Sequence, residues 1–130
     1  MADFTIFHNP RCSKSRGALA LLSERHAEVD VVEYLKDTPT RAELEQMMEK
    51  LALTDPRSMM RTGEDAYRDL GLSDAMPDEL LDAMVAHPIL IERPIVVRGD
   101  RAVIGRPPER VLDLLGREAS GSAATPTGGG

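Results

Sequence analysis

One side chain in this 130-residue chain can act as a soft nucleophile: Cys12, its only cysteine. It lies within His8-Asn9-Pro10-Arg11-Cys12-Ser13-Lys14-Ser15-Arg16, after a β-like run (Phe4-Thr5-Ile6-Phe7) and before a helix-like run that ends near Arg25. A cysteine where a loop becomes a helix faces the unpaired N–H groups of the first turn and the positive end of the helix dipole. Both favour a negative charge. A thiol of pKa about 8.5 falls to roughly 3.5–7.5 in such a place and is then a thiolate at neutral pH. Lys14 and Arg16 add positive potential, and the Ser15 hydroxyl, three residues on, is placed to donate to the sulfur. The alternative role for a lone cysteine is a small buried apolar side chain. Its polar and basic neighbours favour the reactive thiolate.

A nucleophile of this kind needs a strand to present its loop and a helix to follow it. The sequence supplies both. The first strand is expected at about 4–7. The first helix spans about 13–25, with Ala18, Leu19, Leu21 and Leu22 as its apolar stripe. A second strand at about 29–34 carries the β-branched Val29, Val31 and Val32. Such a tight strand-helix-strand unit predicts a parallel crossover. From 38 to 88 the pattern turns helical. Thr40-Arg41-Ala42-Glu43 is a capping box, followed by Leu44, Met47, Met48 and Leu51 at helical spacing. Asp55-Pro56 marks another helix start, and short helices are expected at about 64–70 and 78–86. The methionines of this block are assigned to core filling. Ile95-Val96-Val97 and Ala102-Val103-Ile104 flank Arg98-Gly99-Asp100-Arg101 as an antiparallel hairpin with a two-residue Gly-Asp turn. A last helix is expected at about 108–115, stopping at Gly116, and residues 117–130 read as a disordered tail.

Composition narrows the function. The chain is expected to form one domain over residues 1–116, with 42% hydrophobic and 29% charged residues, ordinary values for a globular protein. No apolar run approaches the roughly eighteen residues of a membrane span. The start, Met-Ala-Asp-Phe-Thr, does not read as a signal peptide. A single cysteine suits a reducing cytoplasm. A net charge of −6 and two Phe, two Tyr and no Trp argue against a nucleic-acid partner. Cys12, His8, His26 and His87 have no zinc-like spacing, so no metal is expected.

A strand, a C-x-x-S loop, a helix, a second strand and a later hairpin resemble the thioredoxin/glutaredoxin topology. The wider pattern resembles the glutaredoxin-dependent arsenate reductases. It comprises His8-Asn9-Pro10-x-Cys12-x-x-Ser15-Arg16, Thr40-Arg41-x-Glu43-Leu44, Arg61, His87-Pro88-Ile89-Leu90-Ile91-x-Arg93-Pro94-Ile95-Val96-Val97 and Arg106-Pro107, over roughly residues 4 to 115. The resemblance implies an α/β, thioredoxin-like mixed four-stranded sheet flanked by helices, with an inserted helical subdomain at about 38–88. It further implies that Cys12 attacks arsenate, that Arg61, Arg93 and Arg106 hold the oxyanion, and that His8 and Ser15 tune the thiolate. The peptide bond before Pro94 is implied to be cis and to face the cysteine loop. Ser13-Lys14 stand where the best-known reductases carry Gly-Thr, a departure that bears on substrate preference.

Physical chemistry supports arginine in that role. A tetrahedral oxyanion suits guanidinium forks, which give paired, charge-assisted hydrogen bonds and keep their proton. Arg93 and Arg106 each precede a proline, which restricts their backbone. Against this, thirteen of the sixteen basic residues are Arg, and solvated faces account for most such side chains. His8 is expected either to accept a proton or stand as an imidazolium beside the sulfur, or to be a loop residue hydrogen-bonded to backbone.

A lone thiol also restricts the redox chemistry. Reduction of As(V) to As(III) takes two electrons, which two thiols supply by forming a disulfide. Cys12 has no partner cysteine, so the expected reductant is external: glutathione as co-substrate, with glutaredoxin clearing the mixed disulfide. No bound cofactor is expected. Two alternatives stay open at this point. One is a general glutathione-dependent thiol-disulfide oxidoreductase of the same fold. The other is a non-enzymatic redox regulator that binds the RNA polymerase α-subunit, as a related group does.

Overall fold

The computed structural model describes residues 3–115. Four strands form one mixed sheet in the order β2-β1-β3-β4: β1 (Phe4–His8), β2 (Val29–Glu33), β3 (Ile95–Arg98) and β4 (Arg101–Ile104). β1 pairs parallel to β2 through α1 (Ser13–Glu24), and antiparallel to β3, which turns back into β4. This is a thioredoxin-like arrangement. At the β3–β4 turn Gly99 takes φ +61 and Asp100 does not, the sign pattern of a type II′ turn.

Alternation along the strands builds two cores. Phe4 and Ile6 of β1 and Val96 of β3 pack with Ala18 and Leu22 of α1 and with Val111 and Leu114. Phe7 and Ile95, pointing the other way, join the larger cluster made with the helical block between β2 and β3. That block contains α2 (Arg41–Leu51), α3 (Asp65–Asp69) and α4 (Pro77–Ala86). Met47, Met59, Met60 and Met84 are buried there, as expected of core methionines. The Thr40 capping box forms: the Glu43 N–H donates to Thr40 Oγ1 at 3.1 Å and the Thr40 N–H to Glu43 Oε1 at 2.8 Å.

Two expectations shift. Asp55-Pro56 opens only a 3-10 turn, Pro56–Met59, because Met60 is drawn into an extended bridge with Ile91. The last helix begins as a 3-10 turn, Pro108–Val111, and becomes α-helical over 112–115. Its stop at Gly116 and the tail at 117–130 lie outside the described residues. Among the described residues no helix is long and apolar enough to cross a membrane.

Register decides where chemistry can occur. His8 pairs with Glu33, Phe7 with Ile95, and Ile95 with Ile104. The loop after β1, the chain after β2, the chain before β3 and the chain after β4 therefore all leave the sheet at one end. Cys12, Tyr34, Arg93 and Arg106 sit on those four segments.

Candidate active site

Cys12 is the N-cap of α1, extended at φ −95° and ψ 124°, and it is half-buried. The loop is closed by the Cys12 N–H, which donates to the Asn9 carbonyl at 3.0 Å. Asn9 Oδ1 accepts from the Arg11 N–H at 2.9 Å, an Asx-type turn. The sulfur does not close a geometric cap on the helix. Its pKa is nevertheless held below the ordinary thiol value. Burial alone would raise it. The Ser15 and Lys14 backbone N–H groups and the Arg93 guanidinium favour the anion and outweigh that penalty.

Ser15 thus acts on the sulfur through its backbone N–H, while its buried hydroxyl is engaged elsewhere. Ser15 Oγ lies 2.7 Å from His8 Nδ1 and accepts from the Asn9 N–H at 3.0 Å. The hydroxyl ties the end of β1 to the first turn of α1. His8 is only 6% exposed. Burial lowers its pKa and nearby Arg16 lowers it further, against the opposing charge of Glu33. The ring is therefore neutral at neutral pH, which favours its role as hydrogen-bond partner over that of an imidazolium beside the sulfur.

Arg93 is the arginine at the sulfur. Two of its three nitrogens, Nε and Nη1, are buried with no hydrogen-bond partner among the described residues. A buried unpaired donor is costly unless something else completes it, and two on a cation are exceptional. The Arg93–Pro94 peptide bond is cis, as the resemblance implies, and so is Arg106–Pro107. Gly105 makes this packing feasible. Its N–H donates to the Pro94 carbonyl at 2.8 Å, and a Cβ there would come within 2.8 Å of Pro94 Cγ.

Arg61 reaches the same region through a ladder of backbone bonds. Its N–H donates to the Leu90 carbonyl at 2.7 Å, and the Glu92 N–H donates to the Met59 carbonyl at 2.9 Å. This lays residues 59–61 against 90–92. Arg61 lines a cleft of about 470 Å³ together with His8, Asn9 and Tyr34. Its guanidinium is paired with Glu64. Arg106 stands apart from that cleft. Its Nη1 donates to the Arg93 carbonyl at 3.2 Å and lies 3.8 Å from Glu92 Oε1. The structure therefore brings Cys12, His8, Ser15 and Arg93 together directly, with Arg61 in the adjoining wall and Arg106 behind Arg93.

Tyr34 is a site residue that the sequence alone does not single out. It is 1% exposed, at the end of β2, and lines the cleft. Burial raises its pKa, and the Cys12 charge raises it further, while Arg93, a hydrogen bond with Asn9, and Arg61 pull the other way. The phenol is thus a neutral donor facing the same cations as the sulfur. Its signal in the sequence is slight: one of two tyrosines, at the carboxyl end of a strand beside the nucleophile's strand.

A thioredoxin-like sheet with a single anion-stabilised cysteine on the loop after β1, faced by a buried arginine before a cis-proline, makes a candidate thiol-based site. Comparison with known proteins narrows this further: the chain belongs to the ArsC family, whose model matches residues 7–114. It is 48% identical over 117 residues to an arsenate reductase of Neisseria meningitidis, covering 88% of this chain and all of that one. It is also 48% identical over 113 residues to the uncharacterized protein YfgD of Escherichia coli, covering 85% and 95%. The solved structure of an arsenate reductase from Vibrio cholerae matches with a TM-score of 0.84 at 46% identity, covering 86% of this chain and 97% of that one.

Proposed function

We propose that this protein is an oxidoreductase that reduces arsenate to arsenite in the cytoplasm, with glutathione as co-substrate and glutaredoxin as the partner that resets it. The observation that carries this reading is Arg93: buried donors without a protein partner, set against a thiol whose anion is favoured. A thiol-disulfide exchanger can use a cation to favour its thiolate, but it has no use for donors held in reserve, since a disulfide sulfur offers them no oxygen to bind. A polymerase-binding redox switch would call for a second cysteine, and the chain has one.

The steps balance as follows. The Cys12 thiolate attacks the arsenic of the dihydrogen arsenate monoanion; one As–OH bond breaks, two protons are taken up, and water leaves. The product is a neutral thioester of arsenic acid on the Cys12 sulfur, still As(V). Arg93, with Arg61 and Arg106, holds the remaining oxygens and offsets the repulsion between two anions. Tyr34 supplies a neutral donor. The glutathione thiolate then attacks the Cys12 sulfur, and the S–As electron pair stays on arsenic. Dihydrogen arsenite leaves, reduced by two electrons, and Cys12 remains as a mixed disulfide with glutathione. Glutaredoxin's thiolate takes the glutathione by exchange and frees Cys12.

The test is arsenite formation from arsenate with glutathione and glutaredoxin, run beside Cys12→Ser. Wild type is expected to exceed the variant by ~10⁴-fold, the scale of losing a covalent nucleophile. Equal activity in the two proteins rejects the proposal. Thioredoxin substituted for glutaredoxin tests the partner, and full activity with thioredoxin alone would overturn that assignment.

A further inference from the structure

Resting on that reading, the structure points to a further property of the same site: its arginines are not equally available. Arg93 carries the unpartnered nitrogens. Arg61 is paired with Glu64, and Arg106 faces Glu92 at 3.8 Å. All four of these paired residues line one open cavity of about 310 Å³, together with Thr62. Arg61 also lines the cleft beside His8 and Tyr34, so it forms the wall between the two spaces.

Neither glutamate is needed by its own local structure in the usual way. Glu64 is the N-cap of α3, yet its side chain makes no cap hydrogen bond. Glu92 Oε1 accepts from the neighbouring Arg93 N–H at 3.2 Å and otherwise turns to Arg106. Both carboxylates keep about a fifth of their side-chain surface in solvent. Because both pairs line the open cavity, an anion that enters it meets the guanidinium groups directly, which is what a replaceable partner requires.

We propose that Glu64 and Glu92 are resident carboxylates that an entering tetrahedral oxyanion displaces, and that they determine which anions the site accepts. A tethered monoanion sets a threshold. An anion with several acceptor oxygens, such as arsenate, can bond Arg61 and Arg106 at once and take them from their glutamates. A weakly held monoanion such as chloride cannot. The carboxylates also offset two of the three guanidinium charges while no substrate is bound. Arsenate and phosphate pass the threshold alike; only the thiol chemistry separates them.

The experiment measures anion binding without turnover. Alkylation of Cys12 by iodoacetamide is followed at a pH above the thiol's inflection, with rising arsenate or inorganic phosphate, in wild type, Glu64→Gln and Glu92→Gln. The half-protecting concentration is expected to fall roughly threefold to tenfold in Glu64→Gln, and less in Glu92→Gln, as befits losing a partly exposed ionic competitor. Chloride is expected to begin protecting the variants. A half-protecting concentration that is unchanged or raised in both variants overturns this inference alone, because it makes the glutamates mere supports for the arginines. No protection by arsenate in any of the three proteins overturns both this inference and the arsenate reductase reading.

Discussion

Arg57 and Arg93 are the same residue type in one small protein, and their surroundings could hardly differ more. Arg57, in the helical block, uses every nitrogen. Its Nε donates to Tyr67 Oη at 2.9 Å, its Nη2 donates to the carbonyls of Leu72, Ser73 and Ala75 at 2.8, 3.1 and 2.8 Å, and its Nη1 faces the Asp55 carboxylate at 3.4 Å. It ties the Pro56–Met59 turn to α3 and to the carbonyls around residues 72–75, of which that of Leu72 also accepts from the Ala75 N–H. Arg93, at the end of the sheet, leaves two buried nitrogens unpaired among the described residues. The difference teaches how to separate roles. A guanidinium with every donor satisfied by the chain is a cross-link. One with donors held in reserve beside a thiolate is, under the proposed function, a binding group whose stabilising partner arrives with the substrate.

Replacing each with alanine tests this contrast. Arg93→Ala is expected to lower kcat/KM for arsenate roughly 10²–10³-fold, the scale of removing one charge-stabilising group from a reacting centre. Its thermal midpoint should stay close to that of wild type, because the contact with the thiolate is lost together with two buried donors that have no partner among the described residues. The same change raises the pH at which Cys12 alkylation reaches half its maximum, since Arg93 favours the thiolate. A lowered midpoint with unchanged kcat/KM would reverse the roles argued for the two arginines. Arg57→Ala is expected to do the opposite. It should lower the thermal midpoint by roughly 5 °C or more, by removing the donor shared by three carbonyls together with the bond to Tyr67. At a temperature where the variant is folded, kcat/KM should remain within about twofold of wild type. A catalytic loss there of the size expected for Arg93→Ala would show that Arg57 serves the site as well as the block.

The same contrast, between what a residue does locally and what distant chain does to it, explains how much of the molecule its sequence reveals. The strand-helix-strand unit, the hairpin and the Thr40 capping box rest on local signals: alternation, helical spacing, and a side chain that caps its own helix. Such features are legible. So is Cys12, because its environment is made by the helix that follows it. Arg61 is harder to place, since its position depends on residues 59–61 pairing with 90–92, far along the chain. The backbone bonds to Leu90 and from Glu92 have no counterpart in local pattern. Ser15 illustrates a subtler limit. Its spacing from Cys12 suggests a hydroxyl bond to the sulfur, but His8, seven residues back on another element, takes that hydroxyl. Tyr34 reads as one more β-former after β2. Only the register of β2 on β1 turns its ring into the cleft. Arg106 has the same X-Pro signature as Arg93, and spacing cannot distinguish a guanidinium at the sulfur from one bonded behind it to the Arg93 carbonyl.

His8 offers the finest test, because it lies between the two extremes: buried, with one partner at Ser15 and its charge suppressed. In the unfolded chain it titrates near about 6.5, and in the fold it titrates lower. Between those two values the unfolded state holds a proton that the folded state does not. Stability therefore falls as pH drops through that window and is unaffected by His8 at pH values well above it. His8→Gln removes the titration but keeps a polar side chain for Ser15. The urea midpoint of wild type is expected to decline between pH 7 and pH 5 by more than that of His8→Gln, with the carboxylates common to both. If the two midpoints decline in parallel, the ring is not held neutral by the fold. Below about pH 6.5 the Ser15 bond would then be a contact to an imidazolium, and the thiolate would there gain a second cation beside Arg93.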